Sequence, residues 1–311
     1  MTPSMARIVS YHFGWQDERG RPCAEPAGKV VRPALVLLSA QAVGGDAADA
    51  VAAAVAVELV HNFSLLHDDV IDRDRTRRGR PAAWTVFGVP DAILAGDAML
   101  AAAHGVLAGA RAPAPAAGTW LAESVVRMCE GQSADVAFEG RGQVELVECL
   151  GMADAKTGTL LATACRLGGL LGGGEGEQLG RLERFGRALG LAFQLTDDVL
   201  GIWGRPDATG KPLMSDLVAG KKSLPVVAAL CSSAPAGREL AAFYQRRATA
   251  RPDAADLGRM ARLVEEAGGR AWAELAARTA ARDAVGCLEG LRSPAARELA
   301  VLAEFVTGRD H

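Results

Sequence analysis

An all-α helical bundle is the fold this sequence predicts, and three observations predict it. Apolar residues recur at helical spacing along most of the chain, while clean two-residue alternation is hard to find. Half of the 311 residues are hydrophobic and 23% are charged, which is enough apolar matter for a large core and too little net charge for disorder. Clusters of glycine and proline, the strongest local punctuation, fall between the periodic stretches.

Taken in order, the periodicity predicts helices over 29–43, 47–73, 91–109, 118–138, 143–171, 178–203, 215–231, 235–247, 254–266, 269–289 and 294–306. The breaks are Gly44-Gly45, Gly79 to Pro81, Pro113 and Pro115, Gly172 to Gly174, Gly204 to Gly210, and Pro252. Segments 47–66, 91–109 and 159–171 are apolar around their whole circumference, as helices inside a bundle are. The glycine run 172–174 follows no strand and lacks the Lys-Ser/Thr ending of a phosphate loop, so it reads as a connection between helices. No solenoid repeat and no low-complexity linker interrupts the pattern, which predicts a single domain over 1–311.

Composition also excludes function classes. A net charge of −3 offers no basic excess for nucleic acid. Six scattered cysteines show neither a CxxC pair nor Cys/His metal spacing, and a chain of this length needs no disulfide staples. The N-terminus has no apolar run of signal-peptide length, and nowhere do about 18 uncharged apolar residues run together. The expectation is a cytoplasmic protein with no membrane span and no nucleic-acid partner.

The segment HDDVIDRDRTRRGRP, from His67 to Pro81, crowds four aspartates and five arginines together straight after an apolar helix. Residues four apart share a helix face, so Asp68 and Asp72 form a pair, with His61 and Ser64 on the same stripe. Two carboxylates at that spacing suit Mg²⁺, a hard cation that takes oxygen ligands from protein and phosphate together. A second pair, Asp197-Asp198, closes another apolar helix in AFQLTDDVLG. Lys29 and Arg32 open a helix after Gly28. Arg77-Arg78, Lys156-Thr157, Lys211 and Lys221-Lys222 add cations suited to diphosphate, bidentate for arginine and point-like for lysine.

These blocks together resemble the trans-isoprenyl diphosphate synthases of the polyprenyl synthetase family. GKVVRPAL, VELVHNFSLLHDDVID, RRGRP, AILAGDAML, GQSAD, KTG, FQLTDD and GKPLMSDLVAGKKSLP occur in the family's order and at its spacing. The resemblance implies an all-α bundle around a deep central apolar cavity, as a homodimer, using Mg²⁺ (three ions per active site). It implies condensation of an allylic diphosphate with isopentenyl diphosphate in trans. Asp68 and Asp72 match the first aspartate motif, and Asp197 matches the first acid of the second; all three are the implied metal ligands. Lys29, Arg32, His61 and Arg78, with the preceding Gly28, match the isopentenyl diphosphate site. Arg77, Lys156, Lys211 and Lys221 match the allylic diphosphate clamp. Thr157 and Gln194 match polar groups beside the forming carbocation.

One departure stands out. The second motif reads Asp197-Asp198-Val199-Leu200-Gly201, with glycine where the family carries a third aspartate. The expectation from sequence is weaker metal affinity with the reaction retained, and tolerance of Gly201→Asp within about tenfold in rate. For product length, the resemblance implies a floor five residues before Asp68, at Phe63, with small Ser64 beside it. No insertion lies within the motif and no second aromatic adjoins Phe63. That pattern resembles geranylgeranyl diphosphate synthases, with farnesyl or longer products as alternatives, and Met99 and helix 118–138 are further candidate walls. Two other functions compete. A terpene cyclase on the same fold needs no isopentenyl diphosphate site, and a non-catalytic partner subunit lacks the first aspartate motif.

Overall fold

The computed structural model describes residues 1–23, 30–110, 115–205, 213–246 and 252–308. Gly28, Lys29 and Lys211, all expected at the site, lie outside the described residues. The chain is overwhelmingly helical, as its periodicity predicts. In order come α1 (Pro3–His12), α2 (Val31–Ala42), a 3₁₀ turn (Ala47–Ala50), α3 (Val51–Ile71), strands β1 (Thr76–Arg77) and β2 (Arg80–Pro81), α4 (Ala83–Phe87), α5 (Val89–Ala108), α6 (Pro115–Gly140) and α7 (Leu146–Ala153). A π-helical turn (Asp154–Gly158) leads to α8 (Thr159–Leu171) and α9 (Glu177–Trp203). Then follow α10 (Ser215–Ala219), α11 (Leu224–Leu230), α12 (Pro235–Arg246), α13 (Ala254–Glu266), α14 (Gly269–Cys287) and α15 (Pro294–Thr307).

Two compact units are formed, each from segments distant in sequence. The first takes Met1–Glu123, Thr163–Gly180 and Ser293–Ala296; the second takes Ser124–Ala162, Arg181–Arg292 and Arg297–His311. In the first, α3 and α5 pack along their length. Leu35, Val36, Val57, Val60, Leu66 and Met99 are buried there. Their all-round apolarity is met by helices on several sides. In the second, Leu195, Val199, Leu224 and Val227 form one core with Phe138 and Cys149. Ile202, Leu217, Leu240, Met260 and Leu263 form another.

The structure refines the expected elements at four places. Helix α1 was not foreseen, although Thr2 caps it and Pro3 opens it. The span 143–171 begins only at Leu146 and carries the π-helical turn at Asp154–Gly158. The span 215–231 divides at Gly220, whose φ of 76° ends α10 in the left-handed region. Between Asp72 and Ala83 the charged segment forms a two-residue hairpin, pairing Thr76 with Pro81 and Arg77 with Arg80. Two helices, Ala47–Ile71 and Val89–Ala108, are long and apolar enough to cross a membrane by length and composition. Half of the apolar window is buried in the first and a third in the second.

Candidate active site

The first aspartate motif ends α3. Asp72 is the C-cap residue, and its backbone N–H donates to the Asp68 carbonyl at 2.8 Å, so the four-residue spacing read from sequence is one real helical turn. Asp68 and Asp72 are both half-buried. Between them in sequence, Asp69 is 1% exposed and accepts from Arg77 Nε at 2.8 Å and from Arg77 Nη2. Asp74 lies 3.7 Å from the same guanidinium. Arg77 is therefore tied to the motif by an acid that sequence reading left unassigned.

Arg78 and Gly79 are the hairpin's central residues, with φ of 53° and 75°. This is the conformation of a primed turn, which Asn and Gly favour and arginine does not. Holding an arginine there against its local preference is a mark of a functional position. Arg78 Nη2 lies 3.4 Å from Asn62 Oδ1 on α3. One turn away, Arg32 Nη1 sits 3.1 Å from His61 Nε2. Burial, together with Arg32 and Arg78, holds the His61 pKa well below its ordinary value. The ring is thus neutral and accepts from Arg32. The hairpin, α2 and α3 bring together Arg32, His61, Arg78 and Arg77 in the first unit.

His12, buried at the end of α1, shares this environment. Burial, then the charges of Arg78 and Arg77, push its pKa from 6.5 down to about 3. Between those values the unfolded chain binds more protons than the folded one. This contribution to stability is complete above pH about 6.5 and is lost as pH falls toward 3. We expect urea-unfolding free energy to fall by about 1.4 kcal/mol per pH unit through this group below pH 6. His12→Asn should make the decline shallower by that amount, and an unchanged slope would show that the ring titrates normally.

In the second unit the π-helical turn presents Lys156 and Thr157. Such turns inside α-helices recur at functional sites. Gly131 on α6 makes room for it, because a Cβ there would lie 2.5 Å from the Lys156 backbone nitrogen. Lys156 Nζ donates to Asp135 Oδ2 at 2.7 Å. Thr157 Oγ1 donates to Gln194 Oε1 at 2.6 Å, and Gln194 Nε2 donates to Asp198 Oδ1 at 2.7 Å. Asp198 Oδ2 accepts from Leu224 N at 2.8 Å, which caps α11. Desolvation, followed by the charge of Asp216, raises the Asp198 pKa to about 7. With both oxygens engaged, Asp198 is committed to holding Gln194 and the start of α11 in place. Lys221 lies between α10 and α11. Its neighbour Lys222 is turned inward, donating to the carbonyls of Phe138 (2.7 Å) and Arg141.

Gly201 is the informative departure. A Cβ built there would meet Asp216 Oδ2 at 2.4 Å and Cγ at 2.5 Å, so the carboxylate of Asp216 fills the space a side chain would need. Ser215 Oγ also donates to the Gly201 carbonyl at 3.2 Å. The position that carries a third acid in the family's second motif is thus packed against the carboxylate of Asp216 from α10.

These residues fit Mg²⁺ by donor chemistry. Among the described residues no three acids, cysteines or histidines converge closely enough to hold an ion by themselves. The expected ligands instead offer one or two carboxylates at a time, as Mg²⁺ accepts when substrate phosphate and water complete its shell.

A helical fold with this pairing of acids and cations defines a prenyl-transferring synthase, and the comparisons agree. The polyprenyl synthetase family model matches residues 15–259. A (2E,6E)-farnesyl diphosphate synthase of Mycobacterium tuberculosis is 46% identical over 99% of this chain and 87% of its own length. A geranylgeranyl diphosphate synthase of the same organism is 44% identical over 100% and 88%. The crystal structure of a polyprenyl synthetase from Streptomyces coelicolor A3(2) superposes with a TM-score of 0.93 at 44% identity, covering 98% of this chain and 93% of that one. The chain belongs to the polyprenyl synthetase family. It is a short-chain trans-prenyl diphosphate synthase, an enzyme class that joins an allylic diphosphate to isopentenyl diphosphate.

Proposed function

We propose that the whole chain acts as one catalytic domain and makes geranylgeranyl diphosphate. The observation that carries this reading is the setting of Phe63. It is 7% exposed and packs edge-to-face on His67 with ring centroids 4.8 Å apart. His67 Nε2 is 3.0 Å from the Ile93 carbonyl on α5 and fits against Gly96, where a Cβ would lie 2.3 Å away. Phe63 is thus braced from behind, as a floor for a growing chain must be, and Ser64 leaves the adjacent position small. Met99 is fully buried on α5. Overall likeness does not separate the products, since the farnesyl and geranylgeranyl relatives stand at 46% and 44%.

In this reading Asp68, Asp72 and Asp197 hold Mg²⁺, three ions in all, which when bound neutralises the departing diphosphate. Arg77, Lys156, Lys211 and Lys221 clamp that diphosphate, and desolvated charge stabilises charge developed in the transition state. Gly28, Lys29, Arg32, His61 and Arg78 hold isopentenyl diphosphate, whose double bond attacks the allylic cation. Thr157 and Gln194, locked to each other, place oxygen dipoles beside that cation, and apolar walls keep water out. The proton released on elimination goes to the departed diphosphate.

The enzyme's setting follows from the same features. Val89, Ile93 and Leu94 are exposed in the first turns of α5, and these apolar side chains support a homodimer in which a second copy covers them. Six free cysteines support a cytoplasmic location.

The test of product length is chromatography of the products made from each allylic primer under excess isopentenyl diphosphate. C20 product is expected from wild type, and Phe63→Ala is expected to shift the distribution to longer chains. Predominant C15 from wild type, or an unchanged distribution in the variant, would overturn the assignment.

A further inference from the structure

The π-helical turn Asp154–Gly158 is an irregular piece of backbone in a helical run, and it carries two residues of the expected site, Lys156 and Thr157. Its register is closed by Thr159, whose backbone N–H reaches back five residues to the Asp154 carbonyl. Thr159 Oγ1 donates to the same carbonyl at 3.1 Å. Five-residue closures are rare beside four-residue ones, so contacts from outside the turn must favour this one.

Those contacts come from one stripe of α9. Residues 187, 190 and 194 are three and four apart and share a helix face. Arg187 Nη1 donates to Asp154 Oδ2 at 2.5 Å, at the start of the turn. Gly190 backs the end of the turn, where a Cβ would lie 2.5 Å from Gly158 Cα. Between them, Gln194 Oε1 accepts from Thr157 Oγ1 at 2.6 Å. The other oxygen of Asp154 faces Gly158, where a Cβ would lie 2.8 Å from Oδ1. The Asp154 carboxylate thus spans the turn from its first residue to its last, and Arg187 fixes that carboxylate. Arg187 and Asp154 lie outside every motif block read from the sequence.

We propose that Arg187, acting through Asp154, is a positioning residue that holds the π-helical turn in register and so sets Lys156 for the allylic diphosphate. The inference rests on the reading that Lys156 clamps that diphosphate. Lys156 and Thr157 follow Asp154 by two and three residues and reach partners on different helices, Asp135 on α6 at 2.7 Å and Gln194 on α9. A slip of one residue in the closure swings a side chain by about 100° around the helix axis, far enough to part Lys156 from Asp135. The ion pair itself is a weak source of stability. Arg187 is 45% exposed and Asp154 29%, and pairs that wet add little to the global fold. Its loss should therefore show in kinetics rather than in the melt.

Arg187→Met keeps the stem and removes the charge. With geranyl diphosphate, a primer from which both C15 and C20 products can be built, the variant is expected to raise KM for the primer about fivefold and to lower kcat about fivefold. KM for isopentenyl diphosphate should stay within about twofold of wild type, and the thermal midpoint within about 1 °C. Arg187→Lys should recover most of the loss, since the contact is a single hydrogen bond that an ammonium can also donate. Wild-type kinetics in Arg187→Met, losses shared equally by both substrates with a lowered midpoint, or no recovery in Arg187→Lys would each overturn the proposal. Lys156→Ala tests the underlying reading separately. An unchanged KM for geranyl diphosphate in that variant would remove the clamp itself. If that KM rises, adding Arg187→Met to Lys156→Ala should raise it by less than about twofold more, because the pair acts through Lys156. A full further rise would show that Arg187 acts elsewhere and would remove only its positioning role.

Discussion

Alanine at Asp68 or at Asp72 is expected to lower kcat/KM by about 10³-fold or more while leaving the fold intact. Both carboxylates lie half-buried at the end of α3, where Asp72 closes the last turn through its backbone rather than its side chain. Removing either side chain leaves the backbone hydrogen bond of that turn in place. The buried acid between them behaves differently. Asp69 is paired with Arg77, so Asp69→Ala should both destabilise the protein and loosen the diphosphate clamp, because it strands a buried guanidinium. Thermal melts separate the two cases. A wild-type melt with rates lost identifies the ligands, and near-normal rates in Mg²⁺ for Asp68→Ala and Asp72→Ala would remove the metal assignment.

Gly201→Asp is expected to be harmful, by more than about tenfold in kcat/KM and about 1–2 kcal/mol in stability, because Asp216 must move aside. From sequence alone this substitution restores a missing family acid and looks tolerable. In the structure its Cβ would overlap the carboxylate of Asp216, so the new side chain must displace an acid and then repel it. Removing the obstacle should rescue the defect. Gly201→Asp with Asp216→Gly should recover much of the loss, and the double-mutant cycle should show strong coupling between the two positions. Activity within tenfold of wild type for Gly201→Asp alone would mean that Asp216 yields the space easily.

The two expectations for Gly201→Asp, one from sequence and one from structure, show where sequence reading stops. The main helices of the bundle were legible, since apolar periodicity over 47–73 or 178–203 leaves few alternatives, and the four-residue spacing of Asp68 and Asp72 survives as a turn of α3. What periodicity cannot report is a contact between distant segments. Asp216, in the block GKPLMSDLVAGKKSLP, gives no hint in its own neighbourhood that it fills the place opposite Gly201. Asp135 looks like a surface acid until the π-helical turn brings Lys156 to it. The π turn itself is invisible to a 3.6-residue pattern, because the residues on either side remain helical. Helix α1 was missed for a different reason. Its local signals, Thr2 and Pro3, were present, but a 10-residue segment of weak periodicity was weighed only as a leader. The hairpin at Arg77–Arg80 was hidden by its charge, which reads as a solvated surface, whereas its left-handed Arg78 is what aims the guanidinium at Asn62.

The most direct test of the central claim is transfer of label from isopentenyl diphosphate into an allylic primer by the purified chain. With farnesyl diphosphate, labelled isopentenyl diphosphate and Mg²⁺, the account predicts labelled geranylgeranyl diphosphate, with transfer abolished by chelation and restored by Mg²⁺. Consumption of the allylic diphosphate without incorporation of label, or no reaction with any allylic primer in the presence of Mg²⁺, would contradict it.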